Sequence, residues 1–312
     1  MTTVLIILIA VFIDALLGEP KKWHPIAGFG MLATRIESLL LNLSTTSGAT
    51  QQRIIGLIAW CVLVLPLSYL AWYLSHLGTA WYWIVSIVLL YTSLGNYSLV
   101  QHAQTVMYAL QANNLDYARN RVAFMVSRDT QSMQEVDIRT ATIESVLENG
   151  CDAVFGAIFW FVLLGVPGVV MYRLANTLDA MWGYRTPRYK YFGWATARID
   201  DILNWLPAQL TALSYALMGN VVNGVKAWFT QARYWKSINA GSVMASGAGA
   251  LKLQLGGAAI YNGVSQQRPR LGFGNTPKTQ DIQRSIRLVQ RSLWLWLVSI
   301  FIGGALVYGP WW

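Results

Sequence analysis

The chain has 312 residues, of which 55% are hydrophobic and 12% charged, and its formal net charge is +9. Soluble domains carry about 25% charged residues, so this composition excludes an ordinary soluble protein and predicts an integral membrane protein. The Lys and Arg residues are scattered and form no stripe, which argues against nucleic-acid binding and favours cytoplasmic loops that prefer anionic ligands. The two cysteines and three histidines lack ligand spacing, so neither a disulfide framework nor a zinc centre is expected.

Long apolar segments predict the membrane helices. The first segment is short and could be mistaken for a signal peptide. It lacks the basic start and the small-residue cleavage site of such a peptide, so we expect a retained helix. The second and third are each long enough to cross a membrane, and the short connection between them predicts an antiparallel hairpin. The predicted spanning segments are Val4–Leu17, Ile54–Leu77, Trp81–Val100 and Leu293–Tyr308.

The distribution of positive residues constrains the topology. Lys21, Lys22 and several later arginines place the first loop and the loop 101–149 inside, and the two loops that follow are also basic. Two ordinary spans cannot keep all of these loops on one side. The break at Gly165–Gly168 therefore predicts a re-entrant hairpin, in which Ala153–Leu164 enters the membrane and the chain from Val169 returns. The alternative is two plain spans with a weaker charge rule.

We therefore predict an all-α integral membrane protein with about four spanning helices, a re-entrant helical hairpin and helices that face the cytoplasm. Ile202–Val222 is expected to be one of the helices that do not span. No Pro/Gly/Ser-rich linker divides residues 1–312, which predicts a single polytopic domain in the inner, cytoplasmic membrane. Residues 241–274 are rich in Gly and predict tight helix packing followed by turns. They contain no Gly-rich turn that ends in Lys-Ser/Thr, so a P-loop is excluded.

Polar side chains are concentrated between residues 128 and 207. Hydrocarbon penalises each such group unless it is paired or hydrated, so their number predicts a functional polar core with an active site on the cytoplasmic side. Glu144, Glu148 and Asp152 are four residues apart and share one face of a helix, where like charges destabilise. Arg128, Arg139 or a divalent cation such as Mg²⁺ can offset them. A solvated acidic face at a helix start is the alternative.

Two later segments share one spacing, namely Arg173-x-x-Asn176-x-x-Asp179 and Arg198-x-x-Asp201-x-x-Asn204. Each gives a helix one polar edge, and together they predict two helix edges that converge on a polar ligand. The triplet Arg128-Asp129-Thr130 combines a phosphate-binding Arg, a potential metal ligand and a Thr that can cap the following helix. A plain helix cap is the alternative for this triplet.

These motifs resemble the CobD/CbiB family, the adenosylcobinamide-phosphate synthases of cobalamin biosynthesis. The resemblance runs almost from end to end and includes an N-terminal Asp14-x-x-x-Gly18-Glu19-Pro20 with His24-Pro25. The other matching segments are Arg128-Asp129-Thr130, Ile143-Glu144-Ser145-Val146, Glu148-Asn149, Asn176–Met181, Gly183-Tyr184, Ala197-Arg198-x-Asp200-Asp201, Asn239-Ala240, Gly249–Leu251, Leu255–Gly257 and Tyr261-x-Gly263.

The resemblance implies an ATP- and Mg²⁺-dependent ligase. The carboxylate of adenosylcobyric acid, activated by ATP as an acyl phosphate, would be joined to the amine of 1-aminopropan-2-ol or its O-phosphate. The expected catalytic residues are Asp129, Glu144, Glu148 and Asp152, and Asp200 and Asp201 are expected to bind Mg²⁺. Substrate and phosphate contacts are expected from Arg128, Thr130, Asn149, Asn176, Asp179, Arg198, Asn204 and Asn239.

The chain departs from the family pattern at Gly156-Ala157, where Ala-Pro is usual, at Gln209, where Arg is usual, and at Ile238, where Pro is usual. These departures leave open a divergent paralogue with another substrate. Two further alternatives are a non-enzymatic membrane sensor or modulator related to AmpE, and a transporter with broken helices. The expected partners are the corrinoid, the amino-alcohol phosphate and membrane lipid. Other membrane-associated cobalamin-assembly enzymes or a homo-oligomer stay open, and no nucleic acid is expected.

Overall fold

The structure, a computed structural model, describes residues 1–20, 24–43, 48–184, 186–261 and 263–308. It is 77% helical, which confirms the predicted fold class. Lys21 and Lys22, which the topology prediction used, lie outside the described residues. Four described segments are long and apolar enough to cross a membrane, namely Ala49–Ser75, Thr79–Gln111, Glu135–Trp182 and Thr279–Val307.

The regular elements follow one another along the chain. They are α1 (Thr2–Leu17), α2 (Pro25–Leu43), α3 (Ala49–Ser75), α4 (Thr79–Ser93), α5 (Asn96–Gln111), α6 (Leu115–Val122), α7 (Glu135–Gly150), α8 (Gly156–Trp182), α9 (Trp194–Met218), α10 (Val221–Gln231), α11 (Ile238–Leu251), β1 (Leu255–Tyr261), β2 (Val264–Leu271) and α12 (Thr279–Tyr308). A π-helical turn, Cys151–Phe155, separates α7 from α8.

The chain divides into two compact units. The first comprises Met1–Gly95 and Gly156–Asn204, and the second comprises Asn96–Phe155 and Trp205–Trp312. In the first unit α8 packs against α2, α3 and α4, and α1 packs against α4. In the second unit α7 is central and packs against α5, α11, α12 and β1. The prediction of one polytopic domain stays a prediction.

The predicted hairpins are present in the first unit. Helices α3 and α4 are joined by a turn that ends at Gly78, and they pack against each other. Helix α8 reverses direction at Gly165, where φ is 65° and ψ is −146°. Gly156 lies against the hydroxyl of Tyr172, although a straight helix would separate these residues by about 24 Å. The break thus forms a helical hairpin, as predicted.

Three element boundaries differ from the sequence prediction. Helix α1 has 16 residues and is shorter than the four segments that could span. The predicted span Trp81–Val100 is divided, because α4 ends at Ser93 and α5 begins at Asn96. The predicted helix Ile202–Val222 is observed as Trp194–Met218, and it is not among the spanning candidates of the described residues. Its N-terminal turns are polar and lie outside the apolar segment from which the helix was predicted.

The Gly-rich segment holds a structure that the sequence analysis missed. Its first part is α11, in which Ala240–Leu251 is buried throughout, so the prediction of tight packing is confirmed. Its second part is an antiparallel β-hairpin of β1 and β2 where only turns were predicted. The hairpin packs against α7, α10 and α11 in the second unit. This arrangement places β2, which carries Arg268 and Arg270, and the glycines of β1 in the unit that contains the polar residues of α7.

Replacing Gly165 with Ala tests the helical reversal. The backbone at this position is accessible essentially only to glycine, so we expect a loss of about 1–3 kcal/mol in the free energy of unfolding. Thermal unfolding of the purified protein in detergent measures it. The matched control is Gly303→Ala in α12, where an added Cβ meets nothing within 4 Å and should be neutral or stabilising. Equal effects of the two changes would contradict the strained turn.

Candidate active site

Glu144 lies at the centre of a buried ion-pair group in the second unit. Its side chain is 2% exposed, and it contacts Arg128, which is 9% exposed, and Arg268, which is 12% exposed. The Nη2 of Arg128 donates to Oε2 at 2.5 Å, and Arg268 donates from Nη1 to Oε2 at 2.8 Å and from Nη2 to Oε1 at 3.2 Å. The predicted partner Arg128 is confirmed, whereas Arg139 pairs with Glu135 instead.

A bulge in β1 supplies a fourth hydrogen bond to this carboxylate. The backbone N–H of Gly256 donates to Oε1 of Glu144 at 2.8 Å. The strand register shifts between Leu255 and Gly257, and Gly256 has φ of 83°, a conformation that favours glycine. The bulge therefore turns one N–H out of the ladder and towards Glu144. Both carboxylate oxygens are thus bound twice, which fixes the positions of two guanidinium groups.

The turn of the β-hairpin is attached to the Arg128-Asp129-Thr130 segment. The N–H of Asp129 donates to the carbonyl of Ile260 at 2.9 Å. Its carboxylate Oδ2 accepts from the N–H of Gly263 at 2.7 Å. Thr130 is buried, but it does not cap α7, because that helix begins at Glu135 with Gln134 as its N-cap. The capping prediction for Thr130 is wrong, since a turn intervenes before the helix.

A cavity of about 390 Å³ lies between this segment, α7 and the β-hairpin. Its volume falls in the range of small-molecule sites. Three arginines and two aspartates line it together with small residues of β1, and the charged members are Arg128, Arg268, Arg270, Asp129 and Asp137. The Arg270 side chain is exposed and donates to Gln254 at 2.9 Å, and Arg268 stacks 5.2 Å from the Trp235 ring centroid.

The rest of the predicted acidic face lies further along the helix. Glu148 and Asn149 are half-buried in the last turn of α7, where the Asn149 amide donates to the Ser145 carbonyl at 2.9 Å. Asp152 does not continue the α-helical face, because it lies in the π-helical turn. Such turns occur frequently at functional sites. Asn239 lies half-buried in the first turn of α11.

A second polar group lies in the first unit, where the returning arm of α8 meets α9. Tyr172 donates to Asn204 Oδ1 at 2.8 Å, and the Asn204 amide donates to Asp200 Oδ2 at 3.0 Å. The Asn176 amide lies 3.5 Å from Asp200 Oδ1. Asn176 of one predicted edge and Asn204 of the other therefore meet at Asp200, so the predicted convergence is observed for these members.

Arg198 and Asp201 lie away from this centre. They pair with each other at 3.6 Å, and their side chains are 57% and 46% exposed. The three-residue spacing that suggested a common edge with Asn204 therefore gives a surface ion pair instead. Asp179 is half-buried in α8 and acts electrostatically on Asp200.

Asp200 titrates at an unusual pH for an aspartate. Burial and the nearby Asp179 carboxylate raise its pKa from 3.8 to about 7, although hydrogen bonds from Asn204 and Asn176 act in the opposite direction. Within the described residues no group of three His, Cys, Asp or Glu side chains is arranged to hold a metal ion. A Mg²⁺ ion that keeps several waters needs only one or two carboxylates, so the metal role of Asp200 and Asp201 stays a prediction.

Several residues of the site were missed by the sequence analysis. Arg268, Arg270 and Asp137 were not predicted as site residues, and neither was the backbone N–H of Gly256. Arg268 and Arg270 are two residues apart, which on a strand points both to one face. That spacing could have indicated that both arginines belong to the site. It has this meaning only in a β-strand, so the β-hairpin had to be recognised first.

Removing the charge of Glu144 tests the buried ion-pair group. Glu144→Gln leaves two nearly buried guanidinium groups without a counter-ion, so we expect a loss of about 3–5 kcal/mol in the free energy of unfolding. Chemical denaturation in detergent measures it. The control is Glu135→Gln, whose carboxylate is 46% exposed and pairs with Arg139, and this change should cost at most about 1 kcal/mol. Similar losses from both variants would contradict the buried group.

Asp200 gives a pH-dependent prediction. Because its pKa is higher in the folded than in the unfolded state, the contribution of Asp200 to stability is most favourable below about pH 3.8 and is lost as the pH rises towards about 7. Asp200→Asn should therefore raise the melting temperature at pH 8, and this gain should shrink by more than half at pH 5. The expected stabilisation is a few kcal/mol at most. A gain that is equal at both pH values would show that the pKa of Asp200 is not raised.

Comparison with known proteins identifies the family. The family model described as CobD/Cbib protein matches residues 7–289. Proteins named cobalamin biosynthesis protein CobD are similar throughout. One from Stutzerimonas stutzeri is 51% identical and covers 97% of this chain and 99% of its own. One from Chromobacterium violaceum is 49% identical over 99% of both chains, and one from Mycobacterium tuberculosis is 35% identical over 90% of both. No solved structure matches the chain. The chain belongs to the CobD/CbiB family of cobalamin-biosynthesis proteins.

Proposed function

We propose that this protein is a membrane-embedded ligase of cobalamin biosynthesis. It would form an amide between the carboxylate of adenosylcobyric acid and the amine of 1-aminopropan-2-ol or its O-phosphate, using ATP and Mg²⁺. The observation that supports this most is the cavity formed by the β-hairpin, in which three arginines and two aspartates meet. The names of the relatives support the pathway, and the chemistry rests on the site.

The charges around the cavity suit a metal-bound phosphate better than a bare anion. A polyanion alone would be attracted to Arg268 and Arg270 but repelled by Asp129 and Asp137. A Mg²⁺ ion accepts one or two carboxylates together with phosphate oxygens, so it would offset this repulsion. The arginines can donate bidentate hydrogen bonds to phosphate. The residues present therefore fit ATP with Mg²⁺, with Asp129 and Asp137 as the metal ligands we propose.

Within this proposal Glu144 positions other groups. Its two oxygens already accept four hydrogen bonds, from Arg128, Arg268 and Gly256. The carboxylate keeps Arg128 and Arg268 at fixed positions facing the cavity, so little reorganisation is needed when negative charge develops there. Bound ATP would supply the leaving group that a carboxylate lacks, since the carboxylate oxygen leaves as phosphate when the amine attacks.

The polar group in the first unit is proposed to contact substrate amides and the amine. Asn176 is half-buried and carries an amide of the kind that pairs with the side-chain amides of a corrin, whereas the buried Asn204 holds Asp200 in position. Asp200, whose pKa lies near 7, can accept a proton from an amine near neutral pH.

The protein would act in the inner membrane with this chemistry on the cytoplasmic side, as the basic loops favour.

The reaction is tested with purified protein in detergent, given adenosylcobyric acid, aminopropanol phosphate, ATP and Mg²⁺. The corrinoid is followed by mass spectrometry, and we expect a product that requires both ATP and Mg²⁺. Folded protein that binds the corrinoid but forms no product and consumes no ATP would contradict the ligase. That result would favour the sensor or modulator related to AmpE, or a paralogue with another substrate.

Asp129→Asn tests the proposed metal ligand. An Asn oxygen can still accept from the Gly263 N–H, so the β-hairpin should stay attached while the negative charge is lost. We expect at least a roughly tenfold fall in turnover, relieved in part by higher Mg²⁺ concentrations. The control is Asp116→Asn, which removes the same charge from a carboxylate that is 88% exposed and should leave turnover unchanged. Unchanged turnover in Asp129→Asn would exclude the metal role.

A further inference from the structure

A second basic group lies on α12, which contributes no residue to the cavity of the proposed reaction. Arg284, Arg287 and Arg291 are spaced by three and four residues, so they share one face of the helix, and all three are exposed. They line a cavity of about 360 Å³ together with the ends of α9 and α11. The proposed ligase site contains none of these residues.

The charges in this cavity are only partly offset. Arg284 pairs with Asp281 at 2.6 Å and donates to the Leu251 carbonyl at the end of α11 at 2.7 Å, which gives it a structural role. In the described part of the chain, no ion pair or hydrogen bond involves the side chains of Arg287 and Arg291. Two exposed positive charges therefore face one cavity without a counter-ion. An anionic ligand can supply the missing negative charge.

The position of the cavity indicates where such a ligand comes from. Arg291 lies two residues before Leu293, where the apolar part of α12 begins, and Trp294 is 66% exposed. Exposed Trp and Arg at the end of an apolar helix are typical of the level of the lipid headgroups. Met218, Leu251 and Leu288 also line the cavity, so apolar surface adjoins the arginines. A soluble phosphate would use the charges but not this apolar wall.

We propose that Arg287 and Arg291 bind the phosphate headgroup of an anionic phospholipid, with its glycerol and upper acyl chain against Met218 and Leu288. Basic clusters beside membrane helices attract anionic lipids by about 1 kcal/mol per residue. A plain solvated face is disfavoured because the arginines surround a cavity and lie at the start of a spanning segment. This site does not depend on the proposed ligase reaction.

The test uses the full chain, delipidated in detergent and titrated with short-chain phosphatidylglycerol, while native mass spectrometry counts bound lipid. We expect the dissociation constant of the double variant Arg287→Gln/Arg291→Gln to rise roughly 30-fold, about fivefold per charge. Arg287→Lys/Arg291→Lys keeps the charges and should retain most of the affinity. Phosphatidylcholine with the same chains should bind weakly to all variants. Arg284 is left unchanged because it supports the end of α11.

The control double variant Arg35→Gln/Lys236→Gln removes two exposed charges elsewhere and should change the dissociation constant less than about threefold. Equal losses in both double variants would overturn the site in favour of diffuse attraction. Glycerol 3-phosphate that binds as tightly as phosphatidylglycerol would overturn the lipid assignment and indicate a soluble phosphate ligand. Unaltered lipid binding in Arg287→Gln/Arg291→Gln would exclude these arginines.

Discussion

The candidate site depends on one buried carboxylate. Glu144 holds Arg128 and Arg268 in nearly solvent-free positions and accepts the N–H of Gly256. Burial of a charge costs free energy unless it is paired and hydrogen-bonded, and here one acid satisfies donors from the loop 128–133, from β1 and from β2. The same contacts therefore attach the β-hairpin to α7 and orient the arginines towards the cavity. Folding and site geometry are therefore linked through one side chain. A variant of Glu144 would change both stability and ligand binding, whereas a variant of the cavity wall can change ligand binding alone.

The two polar groups differ in their electrostatics. In the second unit Glu144 pairs with two guanidinium groups that face the cavity, which suits the binding of phosphate. In the first unit Asp200 is surrounded by amides and lies near another carboxylate, so its pKa rises to about 7. An ionised, fully bound carboxylate positions other groups, and an aspartate near its pKa can exchange a proton. The proposed ligase, which would activate a carboxylate and deprotonate an amine, would use both properties.

The sequence predicted the features that depend on local composition. These features follow from short-range patterns: the Gly165 break, the apolar segments, and the placement of Glu144 and Glu148 on one face of α7. The β-hairpin was not predicted because its strands are polar and Gly-rich, although Asn262-Gly263 is a strong hairpin signal. The partners of Glu144 include Arg268, 124 residues away, and such a pairing depends on tertiary packing. The spacing of Arg198, Asp201 and Asn204 wrongly predicted one shared polar edge. Asp200, which lies next to Asp201 in the sequence, is the aspartate that contacts Asn204.

The central claim is that the cavity beside the β-hairpin binds ATP with Mg²⁺. Hydrogen–deuterium exchange of the full chain, with and without Mg²⁺ and a non-hydrolysable ATP analogue, tests it most directly because it locates the ligand without requiring turnover. Binding at this cavity predicts slower exchange in residues 128–133 and in both strands, β1 (Leu255–Tyr261) and β2 (Val264–Leu271), only when metal and analogue are both present. Binding of the analogue with unchanged exchange in these segments, and protection elsewhere in the chain, would contradict the account.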